Sequence, residues 1–237
     1  MLSGERRNTD YLFPSDLLMS IHLERQIDHL KQKIVFVGSC VEEAIAKAVT
    51  ALIAHDRELG VKVVEADDEI DRLEVDVEEE CLKTLALHQP VAADLRFVIT
   101  VLKINNDFER MADIAVNIAK RAIFLTDCDT SDYLPHLRRM ATVAQAMVKR
   151  SVDALVFRDV KLARQVREED DDLDTMRREF HARIREALRL EPDNIECLLK
   201  LNSVSKHIER LGDMATNVAE DVIYMVEGEI VRHRHEW

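Results

Sequence analysis

The sequence predicts an all-α protein made of two tandem, pseudo-repeated three-helix bundles, six long helices in total. Three observations carry this. Helix breakers are scarce, with 5 Gly and 4 Pro in 237 residues, while 33% of residues are charged, a composition that suits long helices with one solvated face. Apolar residues recur three and four apart over stretches too long for strands. Finally, one stretch is written twice. Asp107 to Asn117 reads D-F-E-R-M-A-D-I-A-V-N, and one hundred residues later His207 to Asn217 reads H-I-E-R-L-G-D-M-A-T-N. The shared pattern, E-R-x-[AG]-D-x-x-x-N, marks a duplicated unit.

The elements follow in order. Residues 1–14 are expected to be a mobile N-terminal segment, and Pro14-Ser15-Asp16 marks a helix start. Ile27, Leu30, Ile34, Val37, Val41, Ala44, Ala48 and Leu52 form the inward stripe of a first helix ending near His55-Asp56. Gly38 inside it costs up to ~1 kcal/mol of helix propensity against Ala, which a close helix approach would explain. His55 is read as a structural histidine. A second helix is predicted from about Glu58 to His88, with Ala66, Ile70, Leu73 and Val77 inward. Pro90 suits the first turn of a third, which carries Leu95, Val98, Leu102, Phe108, Ala112, Ala115 and Ala119 inward to about Thr126. The first repeat thus spans 15–127.

Asp127 to Pro135 is polar and rich in turn formers, the clearest boundary in the chain. The order then restarts in a second repeat, 132–228. A fourth helix runs from about Pro135 to Phe157. A fifth, from about Val160 to Leu190, buries Leu162, Val166, Leu173, Met176, Phe180 and Ile184. Pro192 opens the sixth, which ends near Val226, and residues 229–237 form a tail.

Composition bounds the function. A net charge of −13 argues against a nucleic-acid surface, which needs a basic footprint, and against direct docking on anionic lipid. No run approaches the roughly 18–20 apolar residues needed to span a bilayer, and the N-terminus has no secretory signal pattern. Cys40, Cys81, Cys128 and Cys197 are isolated in sequence, so reduced thiols in a cytoplasmic protein are expected.

The acidic residues carry the chemistry. On a helix, positions four apart share a face with Cβ atoms roughly 5–6 Å apart. The third and sixth helices stack Glu109 with Asp113 and Glu209 with Asp213, with the Asn117 and Asn217 carbonyls extending each row. The second helix carries Asp67 with Asp71, each one residue after a stripe position, and the fifth carries Asp170 with Asp174 flanking its stripe. One such pair means little, because 46 acids in 237 residues give about nine by chance. Glu24 and Asp28 form a pair without a counterpart in the second half and are set aside. Duplication of the other four is the informative feature. Like charges at this spacing destabilise a bare helix by a few tenths of a kcal/mol, and a bound cation would offset that. Oxygen ligands suit Mg²⁺, Ca²⁺, Mn²⁺ or carboxylate-bridged iron; Zn²⁺ is possible without its usual Cys and His ligands. The bland alternative is a solvated acidic face. Arg110 and Arg210 read as surface ion pairs, or as contacts to a partner or an anion.

Catalysis has little support. Di-iron bundle enzymes need Glu-x-x-His on two helices, yet Glu109 is followed at +3 by Ala112 and Glu209 by Gly212. P-loop, G-x-G-x-x-G, G-x-S-x-G and H-E-x-x-H motifs are missing. A non-enzyme is expected, with a metal-dependent oxidase or phosphatase and a metal-free scaffold as alternatives.

The paired E-R-x-[AG]-D motifs, Gln89-Pro90-Val91-Ala92-Ala93-Asp94-Leu95-Arg96 and the acidic second helices resemble the PhoU family from about residue 15 to 228. The resemblance implies a pair of similar three-helix bundles. It implies multinuclear iron or zinc clusters held by Asp67, Asp71, Glu109, Asp113, Asp170, Asp174, Glu209 and Asp213. Ala112 stands where the family often has Gly, which bears on packing rather than ligation. The implied role is negative regulation of phosphate uptake and phosphate-starvation signalling. The chain would act as a cytoplasmic homodimeric adaptor between a phosphate ABC transporter and a sensor histidine kinase, reaching the membrane only through those partners.

Overall fold

The computed structural model describes residues 14–229 and 231, with side chains from residue 22 onward. Most of the N-terminal segment expected to be mobile, and the tail from residue 232, lie outside the described residues. All regular structure among them is helical. The first half holds α1 (Pro14–Ala54), α2 (Arg57–Glu65), α3 (Asp67–His88) and α4 (Ala92–Leu125). The second holds α5 (Leu134–Phe157), α6 (Val160–Leu190), a 3₁₀ turn (Pro192–Asn194) and α7 (Ile195–Glu227). With α2 and α3 taken as one broken arm, these are two pseudo-repeated three-helix bundles.

Most of the stripes lie where the periodicity put them, although Leu95, expected inward, is 39% exposed in the first turn of α4. Leu30, Ile34, Val37, Val41, Ala48 and Leu52 of α1 are at most 2% exposed, and full burial of one such large aliphatic side chain contributes about 1.5–3 kcal/mol. Gly38 is the point where three helices meet: a Cβ there would stand 3.1 Å from Phe108 of α4 and 3.3 Å from Val152 of α5.

The second helix differs from expectation. It breaks at Ala66, which caps both segments, its N–H bonding Lys62 O at 3.1 Å while its own carbonyl accepts from Glu69 N at 3.2 Å. Ala66 is exposed rather than inward. The break makes Asp67, Asp68 and Glu69 the first turn of α3, where the helix dipole favours each carboxylate by about 0.3–1 kcal/mol. The matching acids Asp170, Asp171 and Asp172 instead lie inside the unbroken α6.

One joint occurs in both halves. His55 after α1 and Arg158 after α5 adopt the left-handed conformation, φ 54° and 52°. The next residues, Asp56 and Asp159, cap α2 and α6 by accepting hydrogen bonds from Leu59 N and from Lys161 N and Leu162 N. His55 also bonds Thr130 Oγ1 through Nε2 at 3.0 Å, a structural role.

The halves join along α4 and α7, which run antiparallel and are the most deeply buried helices. Lys103 Nζ lies 3.6 Å from Asp221 Oδ1 near one end of the seam, and Arg121 Nε donates to Ser203 Oγ at 2.9 Å toward the other. At that second end Cys128 and Cys197 form a disulfide, which corrects the expectation of four reduced thiols; Cys40 and Cys81 are free. Cys128 follows α4 and Cys197 sits in the first turn of α7. The seam brings their Cα atoms to 6.1 Å, within bridging range. Among the described residues no helix is long and apolar enough to cross a membrane.

Candidate metal centre

Each half brings its acidic pairs together across one helix crossing. In the first, Asp67 and Asp71 of α3 face Glu109 and Asp113 of α4. Burial raises the Asp67 pKa, and repulsion from Asp71 and Asp113 adds to it. Glu109 is raised by burial, then by Asp113, Glu74 and Asp71. In the second half, burial pushes Asp170 up to about 6, reinforced by Asp213, Asp174, Asp171 and Glu209. Glu209 and Asp213 are raised by burial first, with Asp213 and Asp174 next for Glu209 and Asp174 next for Asp213. The four pairs singled out from the sequence therefore form two clusters of mutually repelling carboxylates. The second is the drier: all four of its side chains are half-buried, whereas Asp71 and Asp113 of the first are exposed.

Small residues let the helices approach. A Cβ on Gly212 would stand 2.5 Å from Leu173 Cδ2 and 3.3 Å from Asp170 Oδ1, so α6 and α7 touch where the acids gather. Ala112 fills the corresponding position in α4 and is 1% exposed. The [AG] position of the repeated motif is thus a packing position, and the acids on either side of it flank the contact.

The asparagines of the oxygen rows behave differently from expectation. Asn117 donates to Asp113 O at 2.9 Å, and its Oδ1 accepts from Arg121 Nη1 at 3.1 Å. Asn217 Nδ2 lies 3.9 Å from Met214 Sδ. Both amides make local contacts, because a polar residue one turn beyond the acids meets its own helix before it reaches across. Arg110, itself exposed, sits 4.0 Å from Asp107, which is buried, so its partner is not the surface one expected.

Three residues escaped the sequence reading. Asn105, 1% exposed and one turn before Glu109, donates to Glu74 O at 2.9 Å and to Glu74 Oε1 at 3.3 Å. Its Oδ1 is buried and accepts nothing. Glu74 is thereby held beside the first cluster, where it repels Glu109. Its repeat counterpart, Arg177, lowers the pKa of Glu209 against burial and Asp213, and its Nε is buried without a partner. Comparing the repeats for differences rather than likenesses would have shown both.

As a donor set, each cluster fits a hard cation. The candidate ligands are carboxylates, they are held together against their own repulsion, and the first cluster has beside it a buried amide oxygen lacking a donor. In this conformation no three His, Cys, Asp or Glu side chains among the described residues converge at ligating distance. Binding would require the half-exposed carboxylates to turn inward.

Comparison with known proteins agrees with this architecture. The PhoU domain family model matches residues 34–122 and again 137–222. The chain is 38% identical over 213 residues to a phosphate-specific transport system accessory protein PhoU homolog of Aquifex aeolicus, covering 90% of this chain and 96% of that one. It is 35% identical to the homolog of Pseudomonas aeruginosa over 91% of this chain and 89% of that one. The crystal structure of PhoU from Pseudomonas aeruginosa superposes with a TM-score of 0.85 at 32% identity, covering 87% of this chain and 99% of that one. The phosphate transport system regulatory protein PhoU from Streptococcus pneumoniae gives 0.79 at 26% identity, with 88% and 99% covered. The duplicated helical unit, its twice-matched domain and these full-length likenesses together establish that the chain belongs to the PhoU family.

Proposed function

We propose that this chain is a metal-binding regulator of phosphate uptake and phosphate-starvation signalling, without catalytic activity of its own. It acts by protein contact between a phosphate ABC transporter and a sensor histidine kinase, holding signalling off when phosphate is plentiful. The observation that carries the metal part is the pair of carboxylate clusters, each assembled across a helix crossing from residues that repel one another. The regulatory part is supported by relatives named as accessory and regulatory proteins of phosphate transport. Asp67, Asp71, Glu109 and Asp113 would hold one cluster of iron or zinc, and Asp170, Asp174, Glu209 and Asp213 the other. With a net charge of −13 the chain is repelled by anionic lipid, so it reaches the membrane through its partners, as a homodimer.

The test is co-sedimentation with vesicles at physiological salt. Vesicles carrying the phosphate transporter should retain the protein, and bare anionic vesicles should not. Equal retention by both would contradict the adaptor reading. Phosphate release or oxygen consumption with Fe²⁺ or Mn²⁺, abolished by Glu109→Ala, would overturn the non-enzymatic part.

A further inference from the structure

The two clusters match in their eight acids but not in what surrounds them. On α3 the row Asp67, Asp71 continues to Glu74 and Glu78; on α6 the row Asp170, Asp174 continues to Arg177 and His181. Glu74 is fixed by the two hydrogen bonds from Asn105. In the second half Ser205 replaces Asn105 and turns its hydroxyl to its own helix, donating to Asn202 O at 2.8 Å. His181 Nδ1 there contacts Asn202 Oδ1 at 2.9 Å, leaving the guanidinium of Arg177 beside Glu209. The charges near Asp67 and Glu109 include Asp68 and Glu74 with Arg110 and Lys120. Those near Asp170, Glu209 and Asp213 include Asp171 with Arg177, Lys206 and Arg210. Three residues after the acidic pair, therefore, the first cluster has the carboxylate of Glu74 where the second has the guanidinium of Arg177.

We infer that the two clusters are unequal cation sites. The first, with Glu74 as an added carboxylate ligand held by Asn105, takes a divalent cation the more tightly, and the second is weakened by Arg177. This rests on the metal-binding reading above. One unit charge at about 6 Å across a partly wet surface changes cation affinity by about tenfold. The greater burial of the second cluster strengthens its attractions and the repulsion from Arg177 alike, and it also raises the cost of stripping water from the entering ion. Glu74 is also placed to complete the ligand set, because a fifth oxygen ligand lets a hard cation shed water that a four-carboxylate site would leave in place.

Mn²⁺ binding to the full chain, stripped with a chelator and followed by the electron paramagnetic resonance of free Mn²⁺, tests this. Wild type should show two classes of site at least tenfold apart. Asp71→Asn should remove the tighter class and Asp174→Asn the weaker. Glu74→Gln keeps an acceptor for Asn105 and should weaken the tighter class tenfold or more. Arg177→Gln should strengthen the weaker class by a similar factor, independently of how the Glu74 variant folds. One class of site unmoved by Glu74→Gln and Arg177→Gln, or loss of the tighter class in Asp174→Asn, overturns the inference and leaves metal binding standing. No Mn²⁺ uptake overturns the metal reading, and the inference with it.

Discussion

Asp170 Oδ1 lies 3.3 Å from the point where Gly212 would carry a Cβ, so a carboxylate of α6 rests over the backbone of α7. The same added atom would come within 2.5 Å of Leu173 Cδ2, and Leu173 is fully buried. Gly212→Ala gains up to ~1 kcal/mol of helix propensity but overpacks a closed crossing, which costs about 1–3 kcal/mol. The expected net result is destabilisation of about 1–2 kcal/mol in urea unfolding. Ala112→Gly, in the looser first half, should cost no more than about 1 kcal/mol from propensity plus a small cavity. A Gly212→Ala variant as stable as wild type would mean that the crossing is not tight.

The Cys128–Cys197 bridge closes 69 residues of chain between the end of α4 and the start of α7. In the chain-entropy picture a loop of this size contributes about 4 kcal/mol, less whatever strain the native state holds. Protein unfolded in denaturant without reductant should titrate two thiols, Cys40 and Cys81, and four after reduction. Cys128→Ser with Cys197→Ser should lower the melting temperature of oxidised protein and leave reduced protein unchanged. In the folded state Cys81 should resist alkylation, since burial, with Glu80 and Glu78 adding, pushes its thiol up to about 12.

The pH dependence of metal-free protein has a sign that can be worked out. Asp170 titrates at about 6 when folded against 3.8 ordinarily, so the folded state holds its proton more tightly. Its contribution to stability is fully present below pH 3.8 and is lost as pH rises through about 6. His207 opposes this: burial, with Arg121, Arg210 and Lys206 adding, lowers it from 6.5 to about 4, so its contribution is lost as pH falls through that window. Subtracting Asp170→Asn from wild type isolates the aspartate. With chelator present, urea midpoints should show wild type losing ground to the variant between pH 4 and 7. A difference that does not change with pH would contradict the burial of this carboxyl.

Much of the fold could be read from the chain because long helices write their buried face at a fixed spacing. Leu30 to Leu52 in α1 and the duplicated acids of α4 and α7 were visible this way, as was the crowding at Gly38. What escaped depends on tertiary neighbours. The break at Ala66 follows no Gly or Pro, and the same run of acids passes through α6 unbroken. The disulfide joins residues whose nearness exists only once α4 and α7 lie antiparallel. The site was legible as eight acids, because their spacing is local. Its asymmetry was not, because Glu74 and Arg177 matter only through Asn105 and Glu209 on the facing helices.

The central claim, that these carboxylates serve to bind a cation rather than to hold the fold, is tested most directly by thermal melts of wild type and Asp71→Asn, each with and without a strong chelator. A cation that binds only the folded chain stabilises it by about 2.7 kcal/mol at a hundredfold excess over Kd, or about 5–10 °C for a chain of this length. Wild type should therefore melt lower with chelator. Asp71→Asn should melt below wild type when metal is present, having lost a ligand. In chelator it should melt at the same temperature as wild type or higher, because repulsion from Asp67 and Glu109 is relieved. A variant that melts lower than wild type by the same amount in both conditions, with wild type indifferent to chelator, would contradict the account.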